Sequence, residues 1–148
     1  MNYIKALGSG LAGALSVTLI NESVRRFVPN APRLDLLGSR AVEKSASAMG
    51  YSLPSSARYP VAIAGDLLSN SLYYSMSGVG KEKNTLLKGA LLGLAAGVGA
   101  VALPDKMGLG EQPTNKTGQT QLLTVAYYLI GGLVTAATAR FLTDRFFK

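Results

Sequence analysis

A chain of 148 residues that is 48% hydrophobic, only 16% charged and carries a formal net charge of +7 is long enough for one domain. It has no cysteine and no histidine, which excludes disulfide frameworks, thiol nucleophiles, Ser-His-Asp and Cys-His catalysis, and zinc sites of the ordinary kind. The positive charge is not gathered in a dense basic run. It flanks apolar stretches, where it would meet anionic head groups rather than nucleic acid.

Those stretches predict an all-α integral membrane bundle. It is a single membrane domain over 1–148, with four transmembrane helices at about 3–26, 58–77, 85–104 and 120–143 and a short interfacial amphipathic helix between the first two. In chain order, YIKALGSGLAGALSVTLI (3–20) rises about 27 Å, close to the hydrocarbon thickness. Its one charge, Lys5, lies near the end and can snorkel. It lacks a clear A-x-A cleavage site, so it reads as a retained helix rather than a signal peptide. In the first, third and fourth segments the central parts show no charged face at the 3.6-residue period that a soluble helix would carry.

The next segment, 34–50, puts Leu34, Leu37, Ala41 and Met49 roughly on one side, as a helix at the interface or packed over the bundle end would. Segment 58–77 is apolar on the face of Val61, Leu68 and Leu72 but carries a stripe of Tyr59, Asp66, Asn70, Tyr73 and Ser77, with Ser69 at its edge. A short linker then predicts that the second and third spans are packed neighbours. Gly89, Gly93 and Gly97 repeat at four-residue spacing, leaving a groove along which another backbone can approach. Gly8, Ala12 and Ser16 form a similar row on the first span, and Gly132 and Ala136 a single step on the fourth. The polar, glycine-rich stretch at about 105–119 reads as a mobile loop, and its Gly-Leu-Gly at 108–110 lacks the strand–helix context of a dinucleotide site. Thr124, Tyr128, Gly131, Thr135 and Thr138 make one stripe on the last span, with hydroxyls suited to cross-linking helices. Most aromatic residues, Tyr3, Phe27, Tyr59, Tyr73, Tyr74, Phe141, Phe146 and Phe147, lie near span ends as an interfacial belt would, whereas Tyr127 and Tyr128 sit deeper.

The candidate site is an intramembrane polar cluster of Glu22, Arg25, Asp66, Asn70 and Tyr73. Two readings stay open. Asp66 pairs with Arg25 or Arg58 and holds helices together, or Asp66 and Glu22 line a polar path for protons or cations. A lipid head group is a further ligand for the same groups. Gly89, Gly93, Gly97 and Gly132 are the helix-packing positions. No catalytic residue, metal ligand or cofactor site is expected. With four crossings, seven basic residues, Lys81 and Lys148 among them, lie on the side of the termini and eight on the other, so charge does not decide orientation. The function expected is a non-enzymatic structural or accessory membrane component acting through packing with copies of itself or other membrane subunits. The alternative is a small proton or cation channel or transporter. The lipid bilayer is the expected partner and nucleic acid is not.

Overall fold

The computed structural model describes residues 3–79 and 82–146, and every regular element in them is helical. Lys81, Phe147 and Lys148, which enter the charge and aromatic readings above, lie outside the described residues. The helices are α1 (Tyr3–Val24), α2 (Leu34–Ala48), α3 (Ser55–Ser75), α4 (Thr85–Lys106), the single-turn α5 (Gln112–Asn115) and α6 (Gly118–Phe146). Three of them, α1, α4 and α6, are long and apolar enough to cross a membrane. The expected fourth is not among them. Arg58, Asp66, Asn70 and several serines fall between Ser55 and Ser75 and lower the hydropathy of α3.

α6 lies between α4 and α1, α3 packs along α1, and α2 lies over α3. α3 and α4 barely meet, contrary to the neighbour expectation from their short linker. The reason is the glycine row. A Cβ on Gly93 would lie 2.6 Å from the Tyr128 carbonyl oxygen and one on Gly97 2.7 Å from Val125 Cα, while one on Gly89 would strike the Gly132 carbonyl. That face of α4 is therefore taken by α6, and the rising positions on one helix against falling positions on the other make the pair antiparallel. α1 uses Gly10 against the Ser71 carbonyl of α3 and Gly13 against Thr135 of α6. The expected row Gly8, Ala12, Ser16 is off this seam. A Cβ on Gly8 meets nothing within 4 Å.

The outside is apolar and the inside small and polar. Leu7, Leu11, Leu15 and Leu19 of α1 and Leu87, Leu91, Leu94 and Val98 of α4 are exposed, whereas Ser9, Asn21, Ser71, Thr124 and Thr135 are buried. This reverses the ordinary distribution of a water-soluble domain. The hydroxyls of the α6 stripe mostly do not cross-link helices. Thr135 Oγ1 donates to its own Gly131 carbonyl (2.9 Å) and Thr124 Oγ1 to that of Thr120 (2.7 Å), the i−4 bond open to any helical threonine. The cross-links come from tyrosines instead: Tyr74 Oη donates to the Tyr128 carbonyl at 2.7 Å and Tyr73 Oη to that of Leu92 at 2.8 Å. Tyr74 is fully buried rather than part of an interfacial belt. Tyr127 Oη, also buried, has no hydrogen-bond partner among the described residues. These two hydroxyls should respond oppositely to removal. Tyr74→Phe should cost about 1 kcal/mol, and Tyr127→Phe should be neutral or stabilising, since it deletes an unsatisfied group. Thermal unfolding in a mild detergent separates them.

Two helices end in the same way. After α2, Gly50 has φ +81 and the amides of Gly50 and Tyr51 bond the carbonyls of Ser47 (3.1 Å) and Ala46 (2.9 Å). After α4, Gly108 has φ +76 and the amides of Gly108 and Leu109 bond Asp105 (3.0 Å) and Pro104 (2.8 Å). Both are Schellman ends, which need a residue free to adopt positive φ. α4 runs through Pro104 to this point. The proline leaves the Ala100 carbonyl without its helical donor, and Thr114 Oγ1 fills the gap at 2.6 Å. The 105–119 stretch, expected to be a mobile loop, is consequently tied down. Pro113 accepts from the Arg33 amide at 2.8 Å, Arg40 donates to the Leu109 carbonyl at 2.8 Å, and Thr114 is fully buried.

Candidate functional site

Asp66 lies midway along α3. Asn70, one turn on, donates from Nδ2 to Asp66 Oδ1 at 2.9 Å, and Ser69 Oγ donates to the Asp66 carbonyl at 3.2 Å. Among the described residues Asp66 has no ion-pair partner, so the pairing with Arg25 or Arg58 does not occur. Both arginines are held elsewhere. Arg25 donates to Glu22 Oε2 at 2.7 Å and lies 3.8 Å from Asp35, and Arg58 lies 3.3 Å from Glu43. Arg25 is taken chiefly by Glu22 of its own helix end, and Asp35 and Glu43 come from α2, which folds back over α3. The expected cluster is thus split. Glu22 and Arg25 belong to an ion-pair network where α1 meets α2, and Asp66 and Asn70 form a separate pair. Tyr73 binds across to α4.

The network has a consistent geometry. Arg33 grips Asp35 with two bonds, Nε to Oδ1 at 3.1 Å and an Nη to Oδ2 at 2.9 Å. Burial pushes the Asp35 carboxyl up, but the Arg33 bonds, the charges of Arg33 and Arg25, and the Leu36 amide outweigh it and leave the group below the usual carboxylate range. Arg25 is raised, chiefly by its bond to Glu22, and Arg33 by its bond to Asp35. Asn21, 2% exposed, accepts from the Leu34 amide at 3.1 Å. Asn21 and Asp35 carry this junction and were missed as site residues. The available signal was Arg33, a residue that cannot cap, directly before α2. An uncapped helix start needs an acceptor from elsewhere.

Asp66 lines two spaces. One is a cavity of about 10 Å³ shared with Thr18, Asn21 and Asp35. The other is a groove of about 630 Å³ between α3 and α4, with Asp66, Ser69, Asn70 and Tyr73 on one wall, Ala95, Ala96, Gly99 and Ala100 on the opposite wall, Tyr128 from α6, and Leu34 and Leu37 from α2. The groove exists because α4 is drawn onto α6 and because its α3-facing residues are small. A third cavity, about 190 Å³, lies at the end of the bundle holding the termini of α1 and α6, and is lined by Lys5, Lys83, Thr85, Arg140, Thr143 and Asp144. Lys5 is buried there, 4% exposed, rather than snorkelling outward. Among the described residues no group of three or more acidic side chains gathers as a metal site would require. In comparisons with family models, curated proteins and solved structures, nothing matches this chain.

Proposed function

We propose that the chain is a four-span integral membrane component without chemistry of its own, and that it works by holding an apolar molecule from the bilayer in the groove between α3 and α4. The observation that carries the reading is the groove itself. The α1–α3, α1–α6 and α4–α6 seams are closed at glycines, whereas α3 and α4 stand apart around about 630 Å³. That volume falls within the range of about 300–1,000 Å³ typical of small-molecule sites. Support for counting α3 as a span comes from its outer face. Val61, Leu68, Leu72 and Met76 are exposed while Ser71 and Tyr74 are buried, and its 21 residues reach about 31 Å, enough for the hydrocarbon layer. An assembly built on the glycine rows has less support, because Gly89, Gly93, Gly97 and Gly132 are occupied within the chain. A proton or cation path through Asp66 and Glu22 has less still, because Glu22 is held by Arg25.

The absence of cysteine gives a clean background for testing topology. Single cysteines at Tyr51, Val79, Glu111 and Arg145, treated with an impermeant maleimide on sealed vesicles, should fall into two pairs. Positions 51 and 111 should react from one side and 79 and 145 from the other. If 51 and 79 react from the same side, α3 does not cross and the four-span reading falls.

A further inference from the structure

The polar atoms in the groove are mostly acceptors, the second Asn70 amide proton and the Tyr128 hydroxyl being the donors left over. Asp66 Oδ1 takes the Asn70 amide, and Asp66 Oδ2 has no partner among the described residues. Asn70 keeps its carbonyl oxygen free to accept. Ser69 has given its proton to the Asp66 carbonyl, and Tyr73 has given its own to Leu92. The Tyr128 hydroxyl accepts as readily as it donates. Among the described residues no lysine or arginine lines the groove. A carboxylate without a counter-charge in such surroundings is unfavourable, and the groove around it is otherwise walled by alanine, glycine, leucine and methionine.

From this we infer that the groove is a site for a lipophilic amine, its protonated nitrogen at Asp66 Oδ2 and its apolar tail along Ala95, Gly99 and Leu103. The inference rests on the groove being the working surface, as proposed above. An ammonium brings three donors and the missing charge to a wall of acceptors, and charge-assisted bonds of this kind are roughly twice as strong as neutral ones. A neutral alcohol offers one donor and no charge. A fatty acid sets a second anion against Asp66. The order of binding is therefore amine, alcohol, acid.

The test uses the full chain in phosphocholine nanodiscs, with one cysteine introduced by Ala95→Cys on the groove wall and, separately, by Leu11→Cys on the outer face of α1. Maleimide labelling is timed with dodecylamine, dodecanol or dodecanoate present. The amine should slow labelling at position 95 at about tenfold lower concentration than the alcohol, as a hydrogen bond to a charged group predicts. None of the three should slow labelling at position 11. Adding Asp66→Asn should bring the amine down to the level of the alcohol. Adding Gly99→Leu should remove protection by both, because a Cβ at 99 meets only the tip of Leu103 at 3.6 Å and the leucine extends into the groove. Equal protection by amine and alcohol on the Asp66 background overturns the inference and leaves the groove reading standing, and this arm needs no Asp66 variant to fold. Amine selectivity that survives Asp66→Asn also overturns it. Absence of protection by any of the three probes overturns the groove reading as well.

Discussion

Gly132→Leu should leave little folded protein. A Cβ at this position would strike the Gly89 carbonyl and lie 3.1 Å from the Gly93 amide nitrogen. Both obstacles are backbone atoms of a helix and neither can swing aside. Overpacking a core where side chains can shift costs about 1–3 kcal/mol, and the cost here is greater because α4 as a whole must move. Gly89→Leu should behave alike, since its Cβ would meet the Gly132 carbonyl and lie 2.9 Å from Ala136 Cβ. Gly8→Leu and Gly65→Leu are the controls. A Cβ at either position meets nothing within 4 Å, and exchange of a mid-helix glycine there should stabilise by about 0.5–1 kcal/mol. The recovered monodisperse fraction and the melting temperature in detergent check all four. Normal recovery of Gly132→Leu would mean that α4 does not sit against α6 at this distance.

The second large effect belongs to Asp35. Asp35→Asn should destabilise by about 2 kcal/mol at neutral pH. Loss of one partner of a fully buried ion pair costs about 3–5 kcal/mol, and the figure is lower here because Arg33 is 46% exposed. The cost should also depend on pH in a fixed direction. The folded carboxyl lies below its ordinary value of 3.8, so its contribution is fully present above that value and is lost as the pH falls through the lower folded value. The stability gap between wild type and variant should therefore be constant from neutral pH down to about 4 and close below it. Denaturant titrations at several pH values would show this. A gap that stays constant into strong acid would mean that Asp35 is not held by the arginines.

The two predictions draw on parts of the molecule that were unequally legible from sequence. The helical architecture, the apolar character of α1, α4 and α6, and the four-residue glycine spacing on α4 are local patterns, and each can be read within one segment. Asp35 could not be found that way. Arg33 lies only two residues away, but the burial of Asp35 and its approach to Arg25 depend on α2 folding back, and nothing in 34–50 alone says where that helix lies. The same displacement explains why Asp66 has no arginine partner among the described residues. Helical-wheel reasoning gathers Asp66, Asn70 and Tyr73 on one stripe, but which arginine faces the stripe depends on where Glu22 and Glu43 have already drawn Arg25 and Arg58. The 105–119 stretch misleads for another reason. Its composition is that of a free loop, and its anchoring comes from bonds to distant residues, among them the one to the orphaned carbonyl of Ala100, four residues before a proline. Asn21 lies on α1, yet its amide oxygen serves the start of a different helix.

α6, which lies between α1 and α4, also follows both in the chain. During synthesis the seam-forming faces of the earlier helices, Gly13 on α1 and Gly89, Gly93 and Gly97 on α4, emerge before the residues they close upon. α1 and α3 can meet early through Gly10 and Ser71, but α4 has little to lean on until the last 29-residue helix is made. Closure of the α1 and α4 seams therefore waits on α6.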